Sequence, residues 1–294
     1  MSNEEFETAY PHFLGSEIEQ GAPEHAFFQV LPAPHEASVS YGGGTRFGPS
    51  EILKASWQLE MWDNHSRPCD LGIYTAPVVD CSDSEEQSLE NIRQATLAIL
   101  KRGQFPVVIG GEHSVTGAVI QAYIDAGHRD FGVVQIDAHA DLRHAYEDNL
   151  LSHASVMKRV VEHNIPLVQL GIRAYCEEEM QARDDFNVVY HDANELVPNN
   201  IQSIELPEDF PEKVFFTLDI DGMDPSVFPS TGTPVPGGLG WYQTLNLFKS
   251  VVKQRQIIGF DLMEFAPIKG FHAYEFAAAQ LIYKMMGIVQ RHRK

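Results

Sequence analysis

Short, nearly continuous apolar runs alternate along the chain with stretches in which apolar residues recur every three or four positions. The runs AFFQVLP (Ala26–Pro32), PVVIG (Pro106–Gly110), FGVVQI (Phe131–Ile136), PLVQLGI (Pro166–Ile172), NVVY (Asn187–Tyr190), VFFTL (Val214–Leu218) and QIIGF (Gln256–Phe260) predict strands. Helical spacing appears at Glu86–Arg102, where Leu89, Ile92, Leu97 and Leu100 form a stripe that Gly103 closes. Further helices are expected from about Glu51, over Ser114–Ala126 with Gly127 as the stop, and over Ala154–His163, Tyr242–Lys253 and Tyr274–Arg291. Strands apolar on both faces and separated by helices imply a parallel sheet covered on both sides. No repeat, low-complexity tract or Pro/Gly/Ser linker divides the chain. The expectation is one domain over residues 1–294, with the polar, acidic residues 1–25 as an N-terminal arm.

Composition changes this picture in one respect. The 294 residues carry a formal charge of -20, which leaves no basic cluster for phosphate and excludes nucleic acid as a partner. Such a charge would steer a small cation inward, and it equally serves solubility. Three scattered cysteines (Cys69, Cys81, Cys176) form no C-x-x-C pair, so a disulfide framework is not expected. The N-terminal residues lack the pattern of a signal peptide, and no apolar run reaches the roughly 18–20 residues of a membrane span. The expected location is the cytoplasm, away from membranes.

The chemistry collects where four of the strands end. GGEHS sets His113 after Pro106–Gly110; DAHAD sets Asp137, His139 and Asp141 after Phe131–Ile136. LDIDGMDP sets Asp219, Asp221 and Asp224 after Val214–Leu218, and FDLMEFAP sets Asp261 and Glu264 after Gln256–Phe260. Ligands of open parallel sheets bind beyond the carboxyl ends of strands. An extended chain would spread Asp137, His139 and Asp141 over roughly 13 Å, so either the backbone curls there or the three serve more than one ion. Two histidines and at least four aspartates are generous for a single ion. They suit a pair sharing carboxylates about 3.5–4 Å apart, and donors without cysteine favour a hard divalent ion such as Mn²⁺. Taken singly, His113 reads as a loop histidine, and Asp219 and Asp221 read as turn caps. Asp224, just before Pro225, reads as a turn residue even within the set.

In this order, GGEHS, DAHAD, LDIDGMDPS with GTPVPGGL, and FDLMEFAP resemble the ureohydrolases, the family of arginase and agmatinase, from about Tyr41 onward. The resemblance implies a three-layer α/β/α fold, arginase/deacetylase-like, with a mostly parallel sheet of about eight strands. It implies two Mn²⁺ ions per subunit, hydrolysis of a guanidino group to urea and an amine, and a homo-oligomer, trimer or hexamer. It assigns His113, Asp137, Asp141 and Asp219 to one ion and His139, Asp137, Asp219 and Asp221 to the other. Glu264 would pair with the guanidinium, Asp141 would accept a proton from the nucleophile, and His153 of LLSHAS would carry a proton to the departing amine. His144 and His163 belong to no motif.

The substrate is legible only in part. Arginases resemble one another in an Asn two positions beyond the last Asp of DAHxD; this chain has Arg143. They also carry an acid after a G-x-R segment, where this chain has Cys176 beside Glu177–Glu179. SHAS and YGGGTRFGPSEIL look more like agmatinases, so agmatine is the expected substrate and putrescine the product. Arg143, aimed into the pocket, would favour a carboxylate as in guanidinobutyrate; paired with an acid such as Glu147, it would say nothing. Guanidinobutyrate and arginine, a metal-binding homologue without turnover and a dinuclear phosphoesterase are the alternatives. The last needs basic groups that only Arg143 offers, and the related deacetylases use one zinc.

Overall fold

The computed structural model describes residues 10–293. Its centre is an eight-stranded sheet: β1 (Phe28–Ala33), β2 (Ile73–Thr75), β3 (Phe105–Gly110), β4 (Gly132–Ile136), β5 (Leu167–Leu170), β6 (Val189–His191), β7 (Lys213–Asp219) and β8 (Gln256–Met263). The spatial order is β2-β1-β3-β8-β7-β4-β5-β6, and every pairing is parallel. The helices are α1 (Gly48–Ala55), α2 (Glu85–Lys101), α3 (Ser114–Asp125), α4 (Val156–Glu162), α5 (Glu177–Asp185), α6 (Ala193–Leu196), α7 (Trp241–Gln254) and α8 (Ala273–His292).

Alternation of side chains along each strand splits the core into two layers. Val30, Val107, Val134, Phe216 and Leu262 pack with Ile52 of α1, Phe248 of α7 and Ile282 of α8. Leu31, Val108, Val133 and Phe215 face Ile92 of α2, Val119 of α3 and Val160 of α4. Two buried faces explain why the strands read as unbroken apolar runs, and they make the fold a three-layer α/β/α sandwich. The expected strand Gln256–Phe260 runs on to Met263, so Asp261 lies inside β8 rather than beyond it. Residues 1–9 of the expected arm lie outside the described residues; Phe13 and Leu14 are buried in the first core layer. Among the described residues no helix is long and apolar enough to cross a membrane.

Candidate metal centre

The four central strands β3, β8, β7 and β4 are adjacent, so their carboxyl ends bring GGEHS, FDLMEFAP, LDIDGMDP and DAHAD to one place. Asp219 is the last residue of β7, Asp137 directly follows β4, Glu264 directly follows β8, and His113 immediately precedes α3. His113 Nδ1 lies 3.0 Å from Asp137 Oδ2, 3.1 Å from Asp141 Oδ2 and 3.3 Å from Asp219 Oδ2. His139 Nδ1 lies 3.0 Å from Asp221 Oδ2 and 3.6 Å from Asp137 Oδ1. Among the described residues, two groups at this centre could each hold a metal ion, His113–Asp137–Asp219 and Asp137–His139–Asp221, with Asp137 in both; a third, His35–Glu85–Glu112, shares no residue with them. The extended-strand difficulty is resolved in both ways at once. Asp137 belongs to both groups, His139 to the second, and Asp141 faces His113 at 3.1 Å, while the backbone turns sharply at Asp141, whose φ is 52°.

The donor set fits a metal. His113 Nδ1 is buried among carboxylate oxygens without a hydrogen bond of its own, while Nε2 is 2.8 Å from Thr217 Oγ1. With the proton on Nε2 donated to Thr217, the Nδ1 lone pair points at the carboxylates, the tautomer a metal ligand needs. Without a cation the cluster is in conflict with itself. Burial and the neighbouring carboxylates push Asp219 well above the ordinary carboxylate range and Asp141 up to about 7. Burial opposes charge on His139, but Asp221 and Asp137 raise it to about 12. Divalent ions would relieve that crowding of negative charge.

A polar row beneath the centre holds these side chains. Gln169, Gln135, Thr217 and Asp261 occupy register positions on β5, β4, β7 and β8. Gln135 donates to Asp137 Oδ2 at 2.7 Å, Gln169 donates to Gln135, and Arg183 of α5, paired with Asp192, donates to Gln169. Thr116 donates to Asp261 Oδ2, whose carboxyl burial raises to about 6. The signal for this row was a polar residue two positions before Asp137 and Asp219 in otherwise apolar strands (VVQID, FFTLD). Arg173 was also unread; its guanidinium donates to Asp221 O at 2.6 Å and to Val235 O, fixing the Asp221 turn. Gly222 in that turn touches β4, since a Cβ there would lie 2.8 Å from Asp137 N. Gly222→Ala is therefore expected to part Asp221 from Asp137 and to weaken the binding of an added divalent ion about tenfold or more, read by titrating the metal-free protein. An unchanged affinity would contradict this packing.

Glu264 is buried at the pocket, its Oε1 accepting from His113 N at 2.8 Å and its φ at 61°. Burial and the neighbouring Glu112 push its carboxyl well above its usual range. His153 lines the same pocket, with Nδ1 3.0 Å from Ser38 Oγ, and burial lowers its imidazole. The pocket is walled by Val39–Gly42, His113, His139, Asp141, His153, Asp219, Asp221, Gly232, Thr233 and Glu264. Arg143 is not in that wall. Its Nε lies 3.9 Å from Glu179 rather than against Glu147, and its guanidinium sits over Tyr146. Glu179 caps α5 through Cys176 N and accepts from Leu142 N, so it is not in the wall either. Asp224 is the turn residue expected, accepting from Ser226, Gly237 and Gly238 N–H groups.

The Arginase family model matches residues 26–287. The chain is 40% identical to an N(1)-aminopropylagmatine ureohydrolase of Synechocystis over 97% of its length and 96% of that protein. Among solved structures it resembles the agmatine ureohydrolase of Thermoplasma volcanium, with TM-score 0.81, 26% identity and 92% of each chain covered. It also resembles the proclavaminate amidino hydrolase of Streptomyces clavuligerus, with TM-score 0.83, 25% identity and 97% and 99% coverage.

Proposed function

Since the chain belongs to the arginase family, we propose that it hydrolyses the guanidino group of N(1)-aminopropylagmatine, releasing urea and leaving spermidine. The sequence points to agmatine; the relative at 40% identity moves the reading to agmatine extended by an aminopropyl group. Both share a guanidinobutyl end. The observation that carries this choice is the pocket wall, in which no Lys or Arg occurs while Asp141, Asp219, Asp221 and Glu264 all do. A substrate carboxylate, as in arginine or guanidinobutyrate, would enter without a cationic partner, whereas a polycation suits an acidic wall. Agmatine itself is the second reading, favoured by the likeness to the Thermoplasma enzyme.

His113, Asp137, Asp141 and Asp219 would hold one Mn²⁺, and Asp137, His139, Asp219 and Asp221 a second. Bound there, the ions would supply hydroxide at neutral pH by lowering the pKa of water. The chain's own groups do the rest. Glu264, held by His113 N–H, pairs with the guanidinium and fixes the direction of its carbon. Asp141 receives the proton of the attacking group. His153, kept neutral at pH 7 by burial, takes a proton and delivers it to the departing amine nitrogen. The test is urea release by the manganese-loaded protein from aminopropylagmatine, agmatine, guanidinobutyrate and arginine. The highest kcat/KM is expected for aminopropylagmatine. A preference for arginine would refute the argument from the pocket wall, and a preference for agmatine would remove only the aminopropyl extension.

A further inference from the structure

Glu112, the residue before His113, is wholly buried and belongs to neither of the two groups around Asp137. Its Oε2 accepts from Ala37 N at 2.6 Å and Ser38 N at 2.7 Å. Its Oε1 accepts from Ser38 Oγ at 2.8 Å and Ser114 Oγ at 2.6 Å. His35, also buried, places Nε2 3.7 Å from the same carboxylate. Ser38 is thereby fastened beside His153 on a segment whose next residues, Val39–Gly42, wall the pocket.

The hydroxyl of Ser38 has one proton and two lone pairs. The proton goes to the Glu112 carboxylate. One lone pair accepts from His153 N at 3.1 Å, and the other faces His153 Nδ1 at 3.0 Å. With its only proton committed, Ser38 Oγ must accept from Nδ1. The second hydroxyl near Nδ1, Ser152 Oγ, is 3.4 Å away, and Tyr146 meets the imidazole edge to face.

We propose that Ser38, anchored by Glu112, is a positioning residue that holds the His153 proton on Nδ1. The Nε2 lone pair is then the atom that takes and returns the proton. The proposal rests on the reading of His153 as a proton carrier in guanidino hydrolysis. On protonation Nε2 gains the proton while Nδ1–H keeps its bond to Ser38. On delivery the departing amine takes the proton from Nε2, and His153 returns to its starting tautomer.

Two measurements on the full-length protein decide it. In histidine-¹⁵N-labelled protein without manganese, NMR should show neutral His153 as the Nδ1–H tautomer, and Ser38→Ala should convert it to a mixture. An Nε2–H tautomer in the unsubstituted protein would overturn the proposal whether or not the protein releases urea. In manganese-loaded protein, Ser38→Ala should lower kcat about 30-fold, leave KM within about twofold and leave bound manganese unchanged. Ser38→Thr, which keeps the hydroxyl, should restore most of the rate and shows that loss of fold is not the cause. In a His153→Ala background, Ser38→Ala should cost nothing further. Multiplying losses in the double variant, or unsubstituted kcat in Ser38→Ala, would equally overturn it. Absence of urea from unsubstituted protein with every guanidine would refute the hydrolase reading, while the NMR result still judges the tautomer.

Discussion

Asp137→Asn is expected to reduce retained manganese below one ion per chain and to cut urea formation by at least about 10³-fold. Asp137 is common to the two groups at this centre that could hold a metal. Its Oδ2 lies 3.0 Å from His113 Nδ1 and its Oδ1 3.6 Å from His139 Nδ1. Burial opposes its charge, but the two imidazoles hold its carboxyl well below the usual range, so it is an anion in the folded chain. Asparagine nearly preserves the shape and removes that anion. Because the folded chain favours this anion, the metal-free variant should melt earlier at neutral pH than metal-free unsubstituted protein. Only the unsubstituted protein should gain thermal stability on adding manganese, as binding to the folded state requires. Elemental analysis after dialysis and melting curves with and without manganese check both halves. Retention of two ions with undiminished turnover would refute the shared-ligand arrangement.

Glu264→Gln should separate substrate handling from metal binding. The amide oxygen can still accept from His113 N–H, so the pocket keeps its form, but the charge opposite the guanidinium is lost. A desolvated charge pair broken on one side commonly costs 2–5 kcal/mol. The expected fall in kcat/KM is about 10³-fold, roughly 4 kcal/mol in transition-state terms, with manganese content unchanged. Steady-state kinetics beside elemental analysis on one preparation decide it. If metal is lost along with activity, Glu264 belongs to the centre itself. If neither changes, the guanidinium is held elsewhere.

What could be read from the residues followed from how local each signal is. Six strands announced themselves because they are largely buried on both faces and so nearly apolar throughout; the seventh, β6, is a half-exposed edge strand read from its short Val-Val-Tyr run. The eighth, β2, is a three-residue edge strand, Ile-Tyr-Thr, too short for any pattern to exceed background. Helix α5, EEEMQARDD, has no apolar stripe; it is held by its Cys176–Glu179 cap and by Arg183 reaching inward. The clustering of His113, Asp137, His139, Asp141, Asp219 and Asp221 was legible because charge at the end of an apolar strand is costly unless used. Ser38 and Glu112 were not, since their meaning lies in a contact across 74 residues that no local spacing carries. The acid facing Arg143 was misplaced for a related reason. Glu147 is near in sequence, but its own φ of 50° marks a sharp turn, and Glu179 is brought in by the fold.

Asp141 and Glu264 both sit in the left-handed backbone region, where a side chain costs on the order of 1 kcal/mol that glycine would not. Selection for heat resistance alone would thus reward glycine at the two places where the proposed mechanism sets an acid. On that mechanism the two corners exchange robustness for reactivity, and a thermostabilised variant of this protein should be sought anywhere but there.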